Sequence, residues 1–201
     1  FSDLIAAFGS GSVLKIGLVI LAAIGILYFA YLHVRLLIWN TKEYQIFKGT
    51  ESFAALKTGN GEVQLMAIPL TYAMSVNVLF ILGALFVPGL WSIVEYLFPF
   101  ALLAFLAIGA YAVNIFITFF ARVIAFGQFD CEKNNSLSQM LSIFAFSMVA
   151  VGLAAPGAMS HLTVISGTGL IFSIGFASVA VILSIIKIVL GFRAMFEHGI
   201  N

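Results

Sequence analysis

Five stretches of this chain are each long and apolar enough to cross a lipid bilayer, and no other feature limits the available folds as much. A spanning helix needs about 20 mainly apolar residues. The runs at about residues 15–38, 63–87, 96–120, 137–155 and 164–192 satisfy that requirement. A membrane β-barrel would show short alternating segments of about ten residues instead, and these runs are continuous. The expected fold class is therefore all-α integral membrane, with about five transmembrane helices in a single transmembrane domain over residues 1–201. Composition agrees: 63% of residues are hydrophobic, 8% are charged, and mean hydropathy is +1.16. A soluble domain carries about 25% charged residues. With so few charges no polar shell could surround a core of this size, so the lipid bilayer is the first expected partner.

The breaks between the runs are well marked. Pro88-Gly89 is expected to close the second span, and Pro156-Gly157 the fourth. Asn134, Asn135 and Ser136 offer an N-cap for the fourth. Short connections make antiparallel hairpins of the second with the third and the fourth with the fifth. Pro69 falls inside the second run and is expected to kink it, because proline removes one backbone bond and clashes with the preceding turn. Residues 44–56 mix aromatic and charged side chains. They suit either a short amphipathic helix on the membrane surface or an ordinary loop. The chain begins at Phe1 without a signal-peptide start, which suggests a fragment of a longer membrane domain.

Basic residues sort by side. Arg35, Lys42, Lys48 and Lys57 follow or end the first span, Arg122 and Lys133 follow the third, and Lys187 and Arg193 end the fifth. Only Lys15 falls on the other side. Cytoplasmic loops of membrane proteins are enriched in Lys and Arg. The expected orientation therefore has the N-terminal end of this segment outside and its C-terminal end in the cytoplasm.

Reactive chemistry is sparse. No carboxylate falls near an expected bilayer midplane: Glu95 is at the outer start of the third span, and Asp130 and Glu132 are in an inner loop. Proton pumps usually need a buried ionisable group, so a pump is disfavoured. His33, His161 and His198 all fall near interfaces. A two-histidine haem site would need His33 and His198 on facing helices, and interfacial polarity explains them more simply. A zinc site needs three or four clustered ligands, and none is visible. Cys131 is the single cysteine, so no internal disulfide forms. No phosphate-binding glycine motif appears. The reading is a non-enzyme with no cofactor and no metal, and the net charge of +1 implies no nucleic-acid partner.

What remains is uncharged polarity inside the spans. Gln64, Thr71 and Ser75 share one face of the second span by their spacing, with Asn77 roughly opposite. The fourth carries Ser138, Gln139 and Ser142 near its inner end. The first and third are greasier and are expected to face lipid, and the fifth is ambiguous. Hydroxyls and small residues often serve only as glue between helices. The functional alternative is the wall of a polar, uncharged pathway for a small anion or polar solute, lined by Gln64, Thr71, Ser75, Ser138 and Ser142. Phe144 and Phe146 are candidates to narrow such a path, although ordinary packing explains both.

Several stretches carry a family resemblance. Residues 66–71 (MAIPLT), 75–91 (SVNVLFILGALFVPGLW), 134–140 (NNSLSQM) and 154–161 (AAPGAMSH) resemble TsoY-type bacterial membrane proteins. More distantly the chain is similar to the superfamily of slow anion channels, tellurite-resistance proteins and dicarboxylate or malate transporters. That resemblance implies a ten-helix, five-hairpin pore in the bacterial inner (plasma) membrane, assembled as a trimer. This chain would then supply the second to sixth helices. It also implies a channel or transporter for an inorganic anion or dicarboxylate. The gating phenylalanine of that superfamily belongs to a late helix that these residues do not include, so no gate residue is carried over. The competing expectation is a non-transporting membrane subunit that anchors or braces a larger complex.

Overall fold

The computed structural model describes residues 2–9, 12–127 and 140–199. Among them there is no strand. The helices are α1 (Ser2–Gly9), α2 (Val13–Phe47), α3 (Glu51–Thr58), a 3₁₀ segment (Asn60–Met66), α4 (Ala67–Phe86), α5 (Leu90–Phe126), α6 (Met140–Met159) and α7 (Thr163–His198). Five of these segments are long and apolar enough to cross a membrane: Val13–Phe47, Asn60–Phe86, Leu90–Phe126, Met140–Met159 and Thr163–Glu197. Each contains the core of one expected span.

Several helices overrun their expected ends. The 35 residues of α2 measure about 52 Å at 1.5 Å per residue, against a hydrocarbon core of about 30 Å. Its polar last turns, from Asn40 onward, therefore extend past the apolar run. This absorbs the first part of the stretch at residues 44–56, and the rest forms α3. Thr50 caps α3 by accepting from the Phe53 amide at 3.3 Å. The Phe53 ring packs edge-on against Tyr44 and Phe47, folding α3 back on the end of α2.

Two proline expectations need correction. Pro156-Gly157 does not end the fourth span, because α6 continues to Met159 with Pro156 fully buried within it. Proline is tolerated inside membrane helices where neighbours make up the lost backbone bonds. The carbonyl that Pro156 leaves without its amide is that of Gly152; on either side of it α7 bonds to α6, Ser166 donating to the Gly157 carbonyl at 2.6 Å and Ser173 to the Ala150 carbonyl at 2.8 Å. Pro69 does not kink the middle of a helix. It is the third residue of α4, just after the 3₁₀ segment. In a first turn the missing N–H has no intrahelical partner to lose. Pro88-Gly89 does form the α4–α5 turn, with Gly89 at φ 71°, a conformation that favours glycine.

At the centre stands α6, packed against α4, α5 and α7. Its contact with α7 is close because Gly157 and Gly169 meet backbone to backbone. A Cβ on Gly169 would lie 2.8 Å from the Gly157 Cα, the small-residue contact that suits association in lipid. The third span was expected to face lipid, but α5 is an inner helix that buries Phe98, Leu102, Phe105, Ala112 and Phe119. In α2, by contrast, none of the described residues is buried. Ile20, Leu21, Ile24, Leu27 and Phe29 are all exposed along it. No soluble protein would leave such a face in water.

The alternating directions of the spans gather Arg35, Lys42, Lys48, Lys57, Arg122, Lys187 and Arg193 at one end, called here the basic end. A buried ion pair organises it. Arg122 Nε donates to Glu62 Oε2 at 2.9 Å, and its other nitrogens donate to the Thr58 and Gly59 carbonyls at 3.0 and 2.9 Å. Glu95 holds the opposite end together. Its carboxylate accepts from the Ser160 hydroxyl and from the His161 and Leu162 amides, tying the start of α5 to the α6–α7 turn.

Candidate functional site

A cavity of about 660 Å³ lies between α2, α4 and α5, towards the basic end. Its α2 wall is Leu37, Asn40, Thr41, Tyr44 and Lys48, with Glu43, Gln45 and Phe47 beside them. Spacings of three and four residues keep that wall on one helical face. The α4 side is Ala67, Ile68, Thr71 and Tyr72, and α5 contributes Tyr111. Three tyrosines thus surround one polar opening. The apolar run of α2, interrupted only by His33 and Arg35 near its end, reaches Trp39, so Leu37 belongs to it and Asn40 onward does not. On α2 the cavity thus straddles the end of the apolar run, whereas Tyr72 and Tyr111 each lie nine residues inside the expected ends of their spans, at 63 and 120.

Hydrogen bonds decide what this lining offers. Thr71 donates to the Ala67 carbonyl at 2.7 Å and Thr41 to the Leu37 carbonyl at 2.7 Å. Each hydroxyl has directed its proton along its own helix, so both present acceptors to the cavity. The donors facing a solute are the phenols of Tyr44, Tyr72 and Tyr111, the amides of Asn40 and Gln45, and the Lys48 ammonium. Lys48 Nζ lies 4.6 Å from the Tyr44 ring centroid, a cation–π distance.

The five residues expected to line one pathway are not brought together. Thr71 opens onto the cavity just described. Ser75, one turn on, faces α2 and meets His33 Nε2 at 2.9 Å. Gln64 is exposed, within the 3₁₀ segment. Ser142 is buried and lines a different cavity of about 250 Å³, between α5, α6 and α7, together with Lys187, Phe116 and Phe119. Ser138 lies outside the described residues, as do Gln139, Cys131 and the expected cap at Asn134, Asn135 and Ser136. Periodicity gives the face of each helix separately, but the rotation of one helix against the next comes from packing. Here α4 turns Thr71 towards α2 and α5, while α6 turns Ser142 towards α7.

Between α4 and α6 the space is filled. Ala73, Leu102, Phe105, Val149 and Leu153 form one buried apolar cluster. The Phe105 ring sits against Gly152 so closely that no Cβ would fit there. Phe146 is core, edge-on to Phe116 and stacked on Phe176, whereas Phe144 is exposed. A third cavity, about 240 Å³, opens towards the Glu95 end and is lined by Asn77, Trp91, Phe98, Phe105, Gly152 and Met159. Asn77 donates to Met148 Sδ at 3.0 Å. Thr71 and Asn77 stand on opposite faces of α4, so these two cavities do not form one channel.

The Glu62–Arg122 pair, the Glu95 cap and the tyrosine triad are the polar groupings that sequence reasoning missed. Tyr44 stands past the end of an apolar run, but Tyr72 and Tyr111 fall inside their spans, so periodicity carries no signal that any of these groups will meet. Among the described residues no group of three or more His, Cys, Asp or Glu stands close enough to hold a metal.

The fold and its exposed apolar faces define the class: an all-helical, multi-pass membrane protein with five candidate spans. No family model, no curated protein and no solved structure matches the chain.

Proposed function

We propose that this chain is part of a membrane channel or transporter for a small anion or related polar solute, which it admits at the tyrosine-lined cavity. The observation that carries the reading is the cavity itself: about 660 Å³, towards the basic end, with three phenols, two amides and an ammonium as donors. Donors of this kind replace the hydration of an anionic or hydrogen-bond-accepting solute without trapping it. The apolar layer around Phe105 then acts as the closed part of the route, and the exposed face of α2 is where further helices or further copies complete it. By the bias in basic residues this mouth faces the cytoplasm, and the resemblance noted above puts the protein in a bacterial inner membrane.

A second reading has its own support. The filled space between α4 and α6, and cavities on opposite faces of α4, suit a non-transporting subunit that braces a larger complex. Flux of chloride, nitrate and malate through purified protein in liposomes separates the two. Transport predicts protein-dependent flux of at least one of them. Absence of flux of all three gives the brace reading the advantage.

A further inference from the structure

We infer that the tyrosine-lined cavity is a binding site for a zwitterionic head group that pairs an ammonium with a phosphate or carboxylate. The inference rests on the same cavity as the proposed function but concerns binding, so it stands or falls apart from any flux. Two charges of opposite sign, Glu43 and Lys48, lie on this one cavity. Among the described residues neither makes an ion pair, with the other or with any third group. Opposite charges held apart on one opening match a ligand whose own charges are held apart.

The uncharged lining completes the match. Phenols of Tyr44, Tyr72 and Tyr111 and the Asn40 amide offer donors for an oxyanion beside Lys48, and charge-assisted bonds of that kind are the strong ones. An ammonium has the Glu43 carboxylate on the same cavity. A simple anion would use the Lys48 side of the cavity and leave the Glu43 side unfilled, and a simple cation the reverse. On α2 the cavity spans the change from the apolar run, which ends at Trp39, to the polar residues from Asn40 to Lys48, and such a change marks the level of phospholipid head groups. The shared chemistry also fits a free zwitterion arriving from water.

The test is native mass spectrometry of the detergent-purified full chain, given short-chain phosphatidylethanolamine or phosphatidylglycerol of equal acyl length. The ethanolamine lipid should be retained several-fold better. Glu43→Gln should bring that ratio close to one, and Lys48→Met should weaken retention of both lipids. Both residues are exposed and, among the described residues, neither is in an ion pair; Lys48→Met gives up only the surface contact with the Tyr44 ring, so thermal unfolding is expected to change little for either variant. Glycerophosphoethanolamine, the soluble head group without acyl chains, forms the second arm. Competition by it identifies the source as a free solute, and failure to compete identifies a lipid; either result upholds the head-group chemistry if the variants respond as stated. Equal retention of the two lipids by the parent, or a ratio that Glu43→Gln leaves unchanged, would overturn the inference.

Discussion

His33 on α2 reaches Ser75 on α4, Nε2 to Oγ at 2.9 Å. Ser75 donates its own proton to the Thr71 carbonyl at 2.8 Å, so the ring nitrogen is the donor and His33 carries its proton on Nε2. Among the described residues this is the one side-chain hydrogen bond that ties α2 to the rest of the bundle. Since α2 buries nothing, the bond helps set the position of one wall of the tyrosine cavity. His33→Phe should lower stability in detergent by about 0.6 kcal/mol, the average for such bonds in membranes. It should also increase hydrogen exchange at the polar end of α2 more than in α6. Equal effects on both helices would show that the bond does not position α2.

The Glu62–Arg122 pair should be far more costly to break. Glu62 is 4% exposed, so Arg122→Met leaves a carboxylate buried without its partner, a loss of about 3 kcal/mol or more. Replacing both residues with apolar ones should recover much of that loss. Thermal unfolding of the two single variants and the double variant checks this. A double variant as unstable as the sum of the singles would mean that the Thr58 and Gly59 carbonyls, rather than the ion pair, dominate.

Glycine positions on α7 give a matched comparison. Gly169→Ala drives a Cβ into the backbone of Gly157 and should cost about 1–3 kcal/mol as overpacking. Gly175→Ala meets nothing within 4 Å and should be neutral or stabilising by up to about 1 kcal/mol through helix propensity. Melting temperatures that rank the two the other way would contradict the α6–α7 crossing.

Orientation is tested by labelling. An impermeant thiol reagent applied to intact cells should reach a cysteine introduced at Gly89 and should miss Cys131. The reverse pattern would put the tyrosine cavity on the outer side.

Much of the fold was legible because hydropathy alone selects spans in lipid. What it could not give were ends and rotations. Helix α2 runs on to Phe47 because residues from Asn40 onward still suit a helix once outside the apolar layer, and no breaker precedes Lys48-Gly49. Pro156 looked like a stop but lies within α6, beside α7 serines that bond to α6 carbonyls and that no local rule could reveal. The pathway set divided because Thr71 and Ser142 belong to faces turned apart by the packing of Phe105 and Phe146. Arg122 and Glu62, sixty residues apart, carry no sequence signal that they will meet. Tyr72 and Tyr111 lie inside apolar spans and Tyr44 past the end of one, and their convergence on one cavity comes from how α2, α4 and α5 pack.

The most direct measurement is the initial rate of solute flux into liposomes for the parent chain and for Tyr111→Phe, which removes one phenol donor from the cavity and leaves the ring. A lost hydrogen bond of about 1 kcal/mol predicts a fall of roughly fivefold, with unfolding temperature and reconstitution unchanged. A variant that carries solute as fast as the parent would contradict entry at the tyrosine cavity, and a parent that carries none would contradict transport itself.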